Sequence, residues 1–197
     1  MRVLAFSDLH RDLGQAASLV ERSRDVDAVI CAGDLASVHD GLGETVRALR
    51  PIDVPVLLVP GNNETHDALR SACEGWDSAT VLHGEAADLD GVTFFGLGGG
   101  IPVTPWGWSF DLTEDQAAAA LADCPEGAAL VVHSPPFGHV DESSGRNLGS
   151  RAILNAIESG SAPIAVCGHI HESWGEESAI GDTRVLNLGP DGAVLEI

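Results

Sequence analysis

The feature that most constrains the fold is a series of short apolar runs, each about the length of one β-strand. These runs are mostly continuous rather than alternating, which is typical of strands buried on both faces. The six clearest are Arg2–Ser7, Ala28–Ala32, Val54–Val59, Val92–Leu97, Ala129–Val132 and Ile164–Cys167. Two further runs, Thr183–Leu188 and Ala193–Ile197, are expected to be closing strands, because the turn signal Pro190-Asp191-Gly192 separates them.

Stretches with helical periodicity alternate with these strands. An apolar stripe runs along Leu13–Val20, and Thr113 with Gln116 forms a capping box at the start of an alanine-rich stretch. Ser150 precedes a further helical stretch at Ala152–Ile157 in the same way. The alternation predicts an α/β fold with a largely parallel central sheet. A length of 197 residues suits one domain spanning residues 1–197.

The charge balance excludes several classes of partner. The chain carries 30 acidic against 10 basic residues, a net charge of −20, and all the basic residues are arginine. Because duplex binding needs a basic stripe, and anionic membranes also attract basic segments, neither nucleic acid nor a membrane is an expected partner. Strong acidity without lysine suggests adaptation to high salt, where ions screen self-repulsion.

Location and cysteine usage add two expectations. No apolar run approaches the roughly 18 residues of a membrane span, and no secretory leader pattern is present, so we expect a cytoplasmic protein. The cysteines are far apart, with no C-x-x-C motif, and are interpreted as buried thiols without a functional role. They are Cys31, Cys73, Cys124 and Cys167.

Polar side chains follow five of the predicted strands at the point where each strand ends. The segments are Asp8-Leu9-His10, Gly33-Asp34, Gly61-Asn62-Asn63-Glu64, His133-Ser134 and Gly168-His169-Ile170-His171. Each alone could be a helix cap, a turn or a satisfied buried histidine. Ligand sites lie at the carboxyl ends of parallel strands, and Asp, His and Asn together suit Mn²⁺, Fe or Zn²⁺. Five coincidences at equivalent places favour a metal site.

In this order the five segments resemble the sequence blocks of the calcineurin-like metallophosphoesterases, in particular the small stand-alone prokaryotic phosphoesterases. The resemblance spans nearly the whole chain. It implies a four-layer α/β/β/α sandwich, in which two mixed sheets are flanked by helices. It also implies two divalent metal ions, with Mn²⁺ expected first and Fe, Zn²⁺, Ni²⁺ or Co²⁺ as alternatives.

The resemblance further implies a role for each ligand position. One metal would be held by Asp8, His10 and His171, and the second by Asn62, His133 and His169, with Asp34 bridging both. A hydroxide shared by the two metals would then attack phosphorus in line with the leaving oxygen, while the metals absorb the developing charge.

The chain departs from the family pattern at Asn63, where the family usually has a histidine that protonates the leaving group. An amide cannot supply that proton. Asn63 could donate a hydrogen bond to a phosphate oxygen instead, leaving a reaction that depends on a good leaving group. Alternatively, His66 or His39 could supply the proton, or the site could be a metal-bearing scaffold. For each histidine the competing interpretation is a solvated surface position.

Two other segments are weaker candidates for substrate contacts. Arg146 or Arg151, with free backbone N–H groups between Gly145 and Arg151, could receive a second phosphate, or the segment could be a helix cap with a surface arginine. Trp106 and Trp108 lie in a long loop and could stack on an organic group, pack an interface or anchor the loop.

Together these features predict a dinuclear metal-dependent phosphohydrolase, most simply a phosphodiesterase acting on small-molecule phosphoesters. Asp34, Asn63, His66 and Arg146 are its candidate catalytic residues. The alternative is a non-catalytic scaffold or protein-binding module of the same fold, and a nuclease ranks lower because the surface is acidic. A scaffold would be expected to lose metal ligands, whereas all the expected positions are kept here. The sequence identifies neither the substrate nor the oligomeric state, which could be a homo-oligomer.

Overall fold

The strands of the protein form two large sheets and one small hairpin in a computed structural model that describes residues 1–197. The strands are β1 (Arg2–Phe6), β2 (Ala28–Cys31), β3 (Val56–Leu58), β4 (Ala79–Val81), β5 (Glu85–Leu89), β6 (Val92–Leu97), β7 (Ala129–Val132), β8 (Glu142–Ser143), β9 (Arg146–Asn147), β10 (Ile164–Cys167), β11 (Glu177–Ile180), β12 (Thr183–Asn187) and β13 (Ala193–Glu196). The helices are α1 (Leu13–Arg22), α2 (Leu42–Leu49), α3 (His66–Cys73), α4 (Glu114–Leu121) and α5 (Arg151–Ser159). Single 3₁₀ turns lie at Ser23–Asp25 and His171–Ser173.

Each large sheet is parallel in its interior and antiparallel at an edge. The first has the order β13-β1-β2-β3-β4, with only β13 antiparallel to its neighbour. The second has the order β11-β12-β10-β7-β6-β5, with β11 and β5 antiparallel to their neighbours. The expectation of two mixed sheets flanked by helices is confirmed, whereas a single central sheet, as the alternation alone suggested, is wrong.

The layering explains why the strand sequences are continuously apolar. Along β1, Leu4 and Phe6 face a core shared with α1, α2 and α3, whereas Val3 and Ala5 face a second core that lies between the sheets. The outer face of the second sheet packs on α4 and α5 in a third core. Because both faces of each central strand are covered, the side chains on both faces must be apolar.

The predicted elements are present with small differences at their ends. All eight predicted strands form, and none of their ends differs by more than two residues. The capping box at Thr113 and Gln116 is made as expected, and Ser150 caps α5 through Ile153 N. The sequence reasoning missed α2 and the less buried strands β4, β5 and β11.

Two further expectations bear on the surface and on the thiols. None of the five helices combines the length and the apolar composition that a bilayer crossing requires. All four cysteines are free thiols, and three of them are buried, while Cys124 is partly exposed. Burial raises the pKa of the Cys31 and Cys167 thiols well above the usual value, so these thiols stay protonated and unreactive.

Candidate metal centre

The five polar segments at the strand ends meet at one edge of the two sheets. The ligand atoms of Asp8, His10 and His171 all lie within 4.8 Å of one another, which makes them a candidate group for one metal ion. Asp34, His133 and His169 form a second such group. Two adjacent clusters of carboxylate and imidazole donors are therefore built from loops that are far apart in sequence.

Asp34 lies between the two clusters. Its Oδ2 is 3.6 Å from His10 Nε2 in the first cluster, and its Oδ1 is 3.5 Å from His133 Nε2 in the second. Asn62 belongs to the second cluster, because its Oδ1 lies 3.3 Å from His133 Nε2 and 3.1 Å from His169 Nδ1. The structure thus brings all seven sequence-predicted ligand positions together.

The electrostatics of these side chains fit divalent cations. Burial raises the pKa of both Asp8 and Asp34 to about 7, and for Asp8 the charge of Asp34 adds to this. Burial likewise lowers the pKa of His133 and His169 to about 3, so both imidazoles are neutral donors. Buried carboxylates that form no ion pair with an arginine, beside neutral imidazoles, are a donor set that a metal ion would stabilise in the ionised form.

The spacing of the donor atoms supports the same conclusion. The carboxylate-to-imidazole distances run from 3.5 Å (His133–Asp34) to 3.8 Å (His10–Asp8), too long for good hydrogen bonds. His10 Nε2 and His171 Nε2 face each other at 3.1 Å. Two neutral imidazoles can share one proton at most across such a contact, whereas a cation could bind both lone pairs.

Backbone carbonyls orient the imidazoles. His133 Nδ1 lies 2.7 Å from the carbonyl oxygen of Ala32, and His10 Nδ1 lies 3.2 Å from that of Ala36. A proton on Nδ1 that donates to these carbonyls leaves Nε2 unprotonated and directed at the cluster. The strand ends therefore fix both the direction and the tautomer of the donors.

The backbone at the ligands is strained. Asp8, His10, Asp34 and His169 have φ angles of 56°, 43°, 59° and 70°, in the left-handed region. Non-glycine residues reach this region at a cost of roughly 1–2 kcal/mol each, and such residues concentrate at functional sites. The surrounding hydrogen bonds must hold these four residues in place.

Glu64 provides much of that support. Its buried carboxylate accepts hydrogen bonds from the backbone N–H groups of Asp34 (2.9 Å), Gly61 (2.8 Å), Ala36 (2.9 Å) and Leu35 (3.3 Å). Burial and the charge of Asp34 raise the pKa of Glu64 to about 7. Only N–H donors face this carboxyl group, so the ionised form satisfies every hydrogen bond and ties the second segment to the third.

Asn63 also holds the carboxylate of Asp34. Its backbone N–H donates to Asp34 Oδ1 at 2.8 Å, and its side-chain amide donates to Asp34 Oδ2 at 2.6 Å. The Asn63 Oδ1 accepts from the backbone N–H of Val38 at 2.8 Å. The strongest contacts of the Asn63 side chain are therefore to the protein.

Two glycines of the motifs are required by close approach. A Cβ atom at Gly61 would collide with the carboxylate of Asp34, and one at Gly168 would collide with that of Asp8. Any larger residue would displace a ligand carboxylate. This explains why glycine stands directly before Asn62 and His169.

A cleft of about 670 Å³ opens over the two clusters. Its walls are two segments, the loop between β6 and α4 that carries the tryptophans and the hairpin β8–β9 with its flanks. The lining residues are His10, Asp34, Ser37, Val38, Asn62, Asn63, Pro102, Val103, Thr104, Pro105, Trp106, Trp108, Ser143, Leu148, His169, Ile170, His171 and Glu172. The cleft places substrate-sized space directly beside the candidate metal ligands.

A hydrogen-bonded chain that the sequence did not reveal connects the tryptophan loop with the metal centre. The Asn62 amide donates to Ser109 Oγ at 2.8 Å, and Ser109 donates to Asp111 Oδ1 at 2.6 Å. Asp111 Oδ2 in turn accepts from both the N–H and the hydroxyl of Thr104, at 2.7 and 2.8 Å. Because the amide nitrogen of Asn62 is engaged, its oxygen points at the second cluster.

Of the other residues predicted from the sequence, Trp106 and Trp108 line the cleft, whereas Arg146, Arg151, His66 and His39 do not. Arg146 is exposed on β9, and the N–H groups of Arg151 and Ala152 at the start of α5 donate to Glu114 instead of being free. His66 packs against His83 with ring centroids 5.1 Å apart, and His39 lies beside Trp108 with its Nε2 2.5 Å from the Trp108 carbonyl oxygen. Neither histidine lines the cleft.

Comparisons with known proteins agree with this geometry. The family model described as the calcineurin-like phosphoesterase superfamily domain matches residues 1–195. The UPF0046 protein K07C11.7 of Caenorhabditis elegans is 26% identical over 208 residues, which cover 95% of this chain and 69% of that protein.

Two solved structures have the same fold. TT1561 of Thermus thermophilus has a TM-score of 0.81 at 16% identity, covering 98% of this chain and 93% of that one. A novel archaeal phosphodiesterase has a TM-score of 0.58 at 18% identity, covering 96% and 84%. Since the family model spans nearly the whole chain and the centre has the donors of a dinuclear divalent metal site, the protein belongs to the calcineurin-like phosphoesterase superfamily and is a metal-dependent phosphoesterase.

Proposed function

We propose that the protein is a phosphodiesterase acting on small-molecule phosphoesters, with two divalent metal ions, Mn²⁺ first among them, bound at the two clusters. The observation that carries this proposal is the position of Asp34, whose two carboxylate oxygens face one cluster each. A bridging carboxylate is what a two-metal phosphoester site requires. Bound there, the metals would supply charge stabilisation for phosphoryl transfer and an activated water.

The side chains of this protein divide the remaining work. Asp8, His10 and His171 would hold one ion, Asn62, His133 and His169 would hold the other, and Asp34 would contact both. The Asn63 amide and the Glu64 carboxylate form hydrogen bonds to Asp34, and these bonds hold its carboxylate between the two clusters. The cleft above the ligands binds the organic part of the ester and excludes water from it.

Proton transfer to the leaving group has no obvious donor in this cleft. Apart from the candidate ligands, Glu172 is the one titratable side chain among the lining residues. Its carboxylate accepts hydrogen bonds from Ser143 and Ser144, which lower its pKa, so it carries no proton near neutral pH. The proposed reaction therefore favours esters whose leaving group departs without protonation.

Parallel assays of bis-p-nitrophenyl phosphate and p-nitrophenyl phosphate test the proposal. Protein stripped with a chelator would be assayed before and after addition of Mn²⁺, Zn²⁺ or Ni²⁺, together with Asp34→Asn. Asp141→Asn is the matched control, because Asp141 is also buried and accepts three hydrogen bonds but belongs to neither cluster.

We expect Mn²⁺ to restore turnover, faster for the diester, in the wild-type protein and in Asp141→Asn but not in Asp34→Asn. Restored turnover that prefers the monoester would contradict the diesterase proposal. Full turnover in Asp34→Asn would contradict the bridging role.

A further inference from the structure

Exposed apolar side chains are concentrated around the cleft. Six large hydrophobic residues of the protein are strongly exposed, and four of these line the cleft. The four are Val38 (50% exposed), Val103 (57%), Trp106 (50%) and Leu148 (42%). Exposed apolar residues scattered singly need no explanation, but their gathering around one cleft marks a surface for an apolar ligand. We call these four residues the apolar rim.

Val38 adds evidence of a different kind. Its φ angle is 49°, a left-handed conformation that is a genuine outlier for a β-branched residue. The N–H of Val38 donates to Asn63, which itself holds the bridging Asp34. A strained and exposed valine is thus fixed to the metal centre by two successive hydrogen bonds, although neither stability nor solubility favours valine there.

Trp106 supplies an aromatic face on the wall formed by the loop between β6 and α4. Its ring is stacked on that of Trp108, with centroids 5.6 Å apart and an angle of 9° between the planes. Since Trp106 is half-exposed and both rings line the cleft, a planar group entering the cleft can extend the stack. The His39 contact with the Trp108 carbonyl oxygen and the link from Asn62 to Asp111 hold this wall in place.

The second wall is also tied down. Glu172, which directly follows the candidate ligand His171, accepts hydrogen bonds from Ser143 Oγ and Ser144 N at 2.8 Å each. These bonds fix the hairpin β8–β9, and Leu148 follows this hairpin directly. The apolar rim is therefore preformed on both sides of the metal centre, which reduces the entropic cost of binding.

The charges around the cleft select against a second anionic group. No arginine is among the lining residues, and the chain has no lysine. Apart from the candidate metal ligands, the one charged side chain that lines the cleft is Glu172, in a protein of net charge −20. A distal phosphate or carboxylate would meet repulsion there without any compensating cation.

We propose that this site is specific for phosphoesters that carry an uncharged aromatic group, with Trp106 and the apolar rim as the specificity-determining surface. The inference rests on the proposed function, because it uses the same cleft. It goes further in naming the substrate class: the phosphoryl group binds at the ligand clusters, and the aromatic group stacks on Trp106 between Val38 and Leu148.

Binding of non-hydrolysable phosphonates to the Mn²⁺-loaded protein tests this inference without turnover. Phenylphosphonate and methylphosphonate place the same anionic head at the metals and differ in the organic group. By calorimetry we expect phenylphosphonate to bind about tenfold more tightly, as one stacking contact with burial of the ring provides. 4-Carboxyphenylphosphonate should bind at least about threefold more weakly than phenylphosphonate, since its distal charge faces Glu172.

Variants locate the effect. In Trp106→Ala the ratio of the two affinities should fall to within about twofold, whereas Trp106→Phe should keep most of it. Leu148→Ala should lower the ratio in part. Leu13→Ala is the matched control, because Leu13 on α1 is similarly exposed (47%) but does not line the cleft, and it should leave the ratio unchanged.

Equal affinity of the wild-type protein for the two phosphonates would overturn the inference, as would a tenfold ratio that persists in Trp106→Ala. Tight binding of the carboxylated phosphonate would overturn the requirement for an uncharged group. Discrimination between the phosphonates without turnover of any diester would support this inference and contradict the proposed function, so the two failures are distinguishable.

Discussion

We expect Glu64→Gln to lower both the stability and the activity of the protein, because the carboxylate of Glu64 accepts backbone hydrogen bonds from both loops that meet at Asp34. The glutamine is nearly isosteric, so it leaves no cavity. The amide nitrogen of the glutamine must nevertheless face at least one N–H donor. The least costly arrangement puts this nitrogen in the place of Oε2, because Oε2 accepts only one hydrogen bond, from the N–H of Ala36. The N–H groups of Asp34, Leu35 and Gly61, which donate to Oε1, then keep a hydrogen-bond acceptor, but this acceptor is a neutral amide oxygen.

The magnitude follows from these contacts. One buried donor without a partner costs about 1–3 kcal/mol, and the loss of charge assistance in the other bonds adds a similar amount. Removing a buried negative charge near Asp34 offsets part of this cost. We therefore expect a loss of about 2–4 kcal/mol in the free energy of unfolding, measured by denaturant titration of the metal-loaded protein.

Activity should fall as well, because a displacement of the Asp34 carboxylate by about 1 Å would cost roughly 10²-fold in rate. The matched control is Glu114→Gln, whose partly exposed carboxylate accepts from Ser150 Oγ, Arg151 N and Ala152 N at the start of α5. Water can replace those bonds, so we expect less than about 1 kcal/mol and unchanged kcat/KM. Equal stability losses in the two variants, or full activity in Glu64→Gln, would refute the reasoning.

Three further predictions concern proton transfer, metal uptake and salt. With aryl and alkyl esters of increasing leaving-group pKa, the wild-type rate should fall steeply, and Asn63→His should flatten the dependence by restoring an acid worth about 10²–10⁴-fold; equal slopes in the two proteins would contradict this. Because the pKa values of Asp8 and Asp34 are raised to about 7 while those of His133 and His169 are lowered to about 3, the two metal-free carboxyls bind protons below pH 7 and these two imidazoles do not. Metal binding should then release about two protons at pH 6 and less than about one at pH 8, measured by calorimetry in buffers of different ionisation enthalpy; a count that does not change with pH would be inconsistent with these pKa values. Finally, the unfolding midpoint should rise by roughly 5–10 °C between about 0.1 and about 3 M KCl, because ions screen the repulsion within a strongly acidic chain; a midpoint indifferent to salt would remove the hypothesis of high-salt adaptation.

The central strands were predictable because they are buried on both faces, and this leaves continuous apolar runs that no helix period explains. The same property hid the division into two sheets, since a strand has the same pattern whichever sheet it joins. Only the family resemblance implied the sandwich. Strand β5 was missed because the strand is partly exposed, so its sequence is not a continuous apolar run. Its residues Glu-Ala-Ala-Asp-Leu also include several types that are uncommon in strands. Helix α2 was missed because its N-cap is Gly41, which has no side chain that could cap the helix and mark its start in the sequence.

The candidate ligands could be found because each stands at the end of a recognisable strand. Ser109 and Asp111 could not, since they are ordinary polar residues of a long loop. Their role depends on how that loop returns to Asn62. The contribution of Val38 was equally hidden, because only the backbone geometry shows that this valine is strained and faces the cleft.

The link from Asn62 through Ser109 to Asp111 has a thermodynamic consequence. One side chain belongs both to a candidate metal group and to the wall on which the organic part of a substrate would rest, so metal and organic ligand are coupled through it. Any ligand that orders the tryptophan loop also orders a metal donor. By reciprocity, the factor by which such a ligand tightens the second metal equals the factor by which that metal tightens the ligand. The fraction of the protein that carries the second metal then depends on the substrate concentration as well as on the metal concentration.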